Sequence, residues 1–165
     1  MAPIEVTPAT ERAGLREFLD LQRKALIKKL EGLTEEQVRQ VPTSSSLSLL
    51  SLVKHSTYWE RMWFQVIVAG RGTDDDHSEL GSEGEVPTFL LTVHDTVESV
   101  VAAYRERIAG SNEVLDDFDL DAPCAFPELA HRNLRFVALH MIEETARHAG
   151  HADIIRETID GSSGH

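Results

Sequence analysis

The stretch "LSLLSLVKHSTYWERMWFQVIVAG", from about Leu47 to Ala69 with Gly70 and Gly72 behind it, constrains the fold more than any other part of the chain. It carries apolar residues on much of its circumference, so as a helix it must be covered on several sides. Charges interrupt it too soon for it to cross a bilayer, which needs about 18 uninterrupted apolar residues. It must therefore be covered by other helices, and this is expected to be the most buried helix.

The covering helices are legible. After Thr10, a good N-cap, Leu15, Leu19, Leu26, Leu30 and Leu33 fall at spacings of three, four and seven, with charges between them. That is the period of an amphipathic helix from Glu11 to about Gly32. Thr34-Glu35-Glu36-Gln37 is a capping-box pattern for a short helix ending before Pro42. A third long helix is predicted over about Asp95 to Phe118, with Val97, Val101, Tyr104, Ile108 and Leu115 inward, and a fourth over about His131 to Thr158, stopped by Gly161. Residues 70 to 90, including "RGTDDDHSELGSEGE", read as a long acidic loop between the second and third long helices. No strand alternation and no repeat is present. The expectation is one domain over residues 1–165, all-α, a four-helix bundle.

Composition excludes some functions. The chain of 165 residues has a formal charge of -12 and a pI near 5.0, which opposes binding to phosphate backbones and to anionic membranes. One cysteine, Cys124, permits no intrachain disulfide, and nothing calls for an oxidising compartment. "MAPIEVTPATER" lacks the basic and apolar regions of a signal peptide, so the expected location is the cytoplasm.

The chemistry concentrates in "EETARHAGHAD", residues 143–153. On a helix, His140, Glu144, His148 and His151 fall within an arc of about 80°. Glu144 and His148 stand at i and i+4, where two side chains can chelate one divalent ion. The same stripe would also suit a solvated helix face. His55 sits in strongly apolar surroundings and must satisfy its nitrogens there, either as a hydrogen-bonded core residue or as a third ligand. Two imidazoles and a carboxylate suit Zn, Ni, Fe or Mn, with an open position for water or substrate as in catalytic sites. His140 reads as packing or as a residue supporting the ligands. Arg147 could bind a substrate carboxylate or pair with Glu143 or Glu144. Asp153 could orient a ligand imidazole or face water. Trp59 and Trp63 read as core, although Trp59, one turn from His55, could line a pocket, and Cys124 reads as an unactivated thiol.

"LVKHSTYWERMWF" followed by "HMIEETARHAGHADIIRETIDG" resembles the DinB-like superfamily, in particular the small branch related to mycothiol-dependent maleylpyruvate isomerase and thiol S-transferases. The resemblance covers essentially the whole chain as a four-helix plan. It implies one divalent metal, zinc foremost, held by His55 on the second long helix and by Glu144 and His148 on the last. The superfamily usually has histidine where this chain has Glu144, although the isomerase branch is similar in using glutamate. His151, on the same stripe, is the substitute third ligand. It further implies a metal-dependent transferase or isomerase that brings a thiol such as mycothiol to a small electrophilic substrate, with Arg147 as the candidate catalytic contact. A metal-dependent hydrolase is the alternative enzyme. A non-enzymatic metal-binding or stress-related domain, as a homodimer built on the apolar second helix, is the alternative outside catalysis.

Overall fold

The structure is a computed structural model, and residues 10–73 and 88–162 are described. Four long helices dominate them. Helix α1 spans Glu11–Lys28, the short α2 spans Glu35–Val38, α3 spans Leu49–Arg61, α4 spans Val97–Asp117 and α5 spans Leu134–Asp160. The described residues contain no β-strand, only an isolated bridge between Pro123 and Asn133. The all-α bundle expected from the sequence is the fold observed. Most of the expected acidic loop between α3 and α4, including His77, lies outside the described residues. No helix is long and apolar enough to cross a membrane among the residues described.

The helix starts follow capping chemistry. The Thr10 hydroxyl accepts from the Ala13 N–H, and Asn133 accepts from the Phe136 N–H. Reciprocal capping boxes open α2 (Thr34 with Gln37), α3 (Ser48 with Ser51) and α4 (Thr96 with Ser99). Gly161 closes α5 at φ 76°, a left-handed position that a side chain resists. Helix α3 does not stop at Arg61. It continues as a π-helical segment, Met62–Val68, in which the Ala69 N–H donates to the Phe64 carbonyl five residues back. The wider turn changes where Trp63 and Gln65 point relative to a regular helix, a common feature near functional sites.

Helix α1 packs along α5, and α3 along α4, with α3 also against α5. The apolar core falls into two groups. One gathers Leu19, Phe64, Ile67, Leu115, Val137 and Met141, and the other gathers Leu26, Leu50, Val53, Tyr104, Ala152 and Ile155. Helix α3 supplies the second group and its π-helical continuation the first, in keeping with the burial expected of this stretch. One departure from simple amphipathic patterning is Arg23. It stands between Leu19 and Leu26 on the inward face of α1, and it is 1% exposed. Its guanidinium pairs there with Glu60 of α3, which is 0% exposed, and also bonds Asp20 at 2.7 Å and Asn112 at 3.0 Å.

Candidate metal centre and its cavity

Helices α3 and α5 enclose a cavity of about 170 Å³ lined by His55, Ser56, Trp59, Trp63, His140, Met141, Glu144, Thr145 and His148. Its position follows from sequence spacing. Residues 55, 56, 59 and 63 are one and two turns apart on α3, while 140, 141, 144, 145 and 148 form the facing stripe of α5. The two apolar cores hold these helices against each other, so the stripe is only half exposed.

His55 and His148 come together, with ring centroids 4.8 Å apart and planes nearly perpendicular at 82°. Phe89 stacks flat on His55, 3.9 Å centroid to centroid, and Thr88 Oγ1 lies 2.6 Å from His55 Nδ1. With Nδ1 engaged, Nε2 is the nitrogen left for a ligand role, a usual arrangement around metal-bound histidine. The His148 Nε2 lies 3.9 Å from Glu144 Oε2, and its Nδ1 is buried without a hydrogen-bond partner among the described residues.

Electrostatics favour neutral imidazoles. Burial, reinforced by the neighbouring His148, pushes His55 down from its ordinary 6.5 to about 4. Burial also lowers His148, opposed by Glu144 and assisted by His151 and Arg147. A neutral ring offers a lone pair, which is the form a cation needs.

The other expected residues fall in different places. Among the described residues, the trio whose donor atoms all approach within 4.8 Å of one another is His140, Glu143 and Glu144. Glu144 thus faces His148 on one side and His140 on the other. His140 packs 4.5 Å from the Trp63 ring and also lines the cavity beside Glu144, so it stands where both of its expected roles would place it. His151 is exposed, 6.1 Å from the His148 ring, and does not line the cavity. Arg147 is exposed and bonds Glu143 and Glu144 at 2.6 Å each, so the helix salt bridge is the reading its geometry matches. Asp153 neither orients a ligand ring nor faces only water, because it pairs with Lys29 of α1. Trp59 and Trp63 are cavity walls rather than sealed core. Cys124 is buried, and burial raises its thiol, which suits an inert role.

Thr88, Phe89 and Ser56 were missed from sequence. Thr88 and Phe89 close the polar stretch read as loop, and the available signal was the abrupt return of apolar residues in "VPTFLL". Ser56 carried no signal beyond its place next to His55.

The family model for mycothiol S-transferases matches residues 14–161, nearly the whole chain. The chain belongs to that family. It thereby falls within the DinB-like group that the two histidine-bearing stretches pointed to. The fold agrees with a solved structure, a conserved protein of Enterococcus faecalis, at a TM-score of 0.67 and 13% identity, covering 94% of this chain and 100% of that one. At that identity the likeness speaks for the bundle alone. No curated protein matches the chain significantly.

Proposed function

We propose that this member of the mycothiol S-transferase family is a divalent-metal-dependent enzyme. It would transfer a low-molecular-weight thiol to a small electrophile, with His55, Glu144 and His148 as the metal ligands. The observation that carries the reading is the approach of two buried imidazoles, His55 and His148, from two helices, with Glu144 beside His148 on the same tryptophan-walled cavity. Thr88 holds His55 by Nδ1 and leaves its Nε2 for a cation, and the Nε2 of His148 lies beside Glu144 Oε2, so one nitrogen of each ring suits a ligand role. The donor set of two nitrogens and one oxygen suits zinc or its neighbours. His151 is less suited, being exposed and outside the cavity.

The ion would supply Lewis acidity, which favours the thiolate over the thiol. The chain's own residues do the rest. Thr88 and Phe89 fix the His55 ring. Arg147 holds the Glu144 carboxylate through its Oε1, leaving Oε2 turned to His148. Trp59, Trp63 and Met141 give the cavity an apolar wall that would seat the apolar part of the electrophile. Among the described residues lining the cavity there is no activated nucleophile, in keeping with a nucleophile brought by the co-substrate.

The test is elemental analysis of wild type beside His148→Ala, coupled to thiol consumption with a panel of electrophiles. About one metal per chain, lost with activity in the variant, is expected. Wild type that binds no Zn, Ni, Mn or Fe when supplied would refute the reading.

A further inference from the structure

Ser56 is 5% exposed, lines the cavity, and its hydroxyl has no hydrogen-bond partner among the described residues. The other buried serines contrast with it. Ser48 and Ser51 close a capping box, and Ser111 donates to the Glu60 and Arg107 carbonyls. A serine inside a helix usually turns back to the carbonyl four residues earlier. The neighbouring Thr57 does this, donating to the Val53 carbonyl at 2.8 Å, and Ser56 does not. Buried hydroxyls are rarely left unmatched, and the cavity that Ser56 lines is the space beside it from which a partner would come.

The cavity describes that visitor. Trp59 and Trp63 offer flat apolar surfaces, and Met141 adds an adaptable one. The volume of about 170 Å³ is close to that of an engineered apolar cavity of about 150 Å³ known to hold benzene. One ring with a short substituent fills that volume, and a second linked ring would extend past it. We propose that Ser56 is a binding residue that donates a hydrogen bond to an acceptor oxygen on a compact, planar, otherwise apolar occupant of one ring. On the transferase reading that occupant is the electrophile, so the inference rests on that reading for the occupant's role but not for its shape or its contact.

The protein's two tryptophans both line the cavity, so their two indole N–H signals report occupancy directly. The full chain is titrated with three unreactive probes while those signals are followed by NMR. The probes are acetophenone, α-methylstyrene, which has the same outline without the oxygen, and benzophenone, which keeps the carbonyl but adds a ring. Acetophenone is expected to bind about tenfold more tightly than α-methylstyrene. Benzophenone is expected to leave both signals in place. In Ser56→Ala the preference should vanish while α-methylstyrene still binds, which also shows that the variant is folded. Equal binding of acetophenone and α-methylstyrene to wild type would mean that the hydroxyl serves only water, and would overturn the proposal without any variant. Failure of acetophenone to bind, or binding of benzophenone as tight as that of acetophenone, would overturn it as well. None of these titrations needs metal, thiol or turnover. Loss of the transferase reading would therefore leave their outcome unchanged, and their failure would leave the metal analysis standing.

Discussion

The Arg23–Glu60 pair predicts an asymmetry that can be measured. Both side chains are sealed from solvent, and each depends on a different number of partners. The described bonds of the Glu60 carboxylate come from Arg23, one through Nη2 and one from Nε at 3.4 Å. Arg23 has further support from Asp20 at 2.7 Å and Asn112 at 3.0 Å. Arg23→Met therefore leaves a buried carboxylate without its cation, a change that costs about 3–5 kcal/mol. Glu60→Met leaves a guanidinium that still has an acid and an amide, so roughly half that loss is expected. The double variant replaces a buried pair by apolar volume and should return to within about 1 kcal/mol of wild type. Urea unfolding of metal-free protein at neutral pH, followed by helical circular dichroism, reads all three. For a chain of this length, Arg23→Met should lower Tm by roughly 10 °C. If Arg23→Met proved milder than Glu60→Met, or if the two losses simply added in the double variant, the pair would not be the coupled unit that its burial implies.

Two further predictions concern the histidines. His55, held at about 4 against an ordinary 6.5, takes up its proton later in the folded than in the unfolded chain. The unfolded chain therefore binds more protons between those values, and metal-free stability should fall as pH drops from about 6.5 to 4. The full shift corresponds to about 3 kcal/mol, which partial solvent access reduces to about 1–2 kcal/mol. A pH series of urea midpoints should show this limb in wild type and a shallower one in His55→Gln, and identical limbs would refute the assignment. Thr88→Val removes the partner of His55 Nδ1 while keeping the side chain's shape. It should weaken zinc binding about 10–100-fold in a competitive chelator titration with little change in apo stability, and unchanged zinc affinity would deny Thr88 its orienting role.

Local chemistry made the bundle readable. The capping box at Thr34, the cap at Thr10 and the stop at Gly161 each act within one turn of helix, and each stands in the structure as the sequence spelled it. The stripe of His140, Glu144 and His148 was readable for the same reason, since helical spacing alone puts these residues on one face. What the stripe met across the gap was not readable. Whether Arg23 faces water or a buried acid depends on Glu60, 37 positions away. Whether His55 is a core residue or a tethered ligand depends on Thr88 and Phe89, which arrive from beyond a long polar stretch with no helical period to register them. His151 shows the same limit from the other side. It shares the stripe by angle, yet it lies a turn beyond the cavity lining and is exposed. Angular position on a helix fixes which way a side chain points, but only the packing partner fixes the height at which pointing that way is of use. A metal centre built between two helices therefore needs both, and the sequence of one helix supplies only the first.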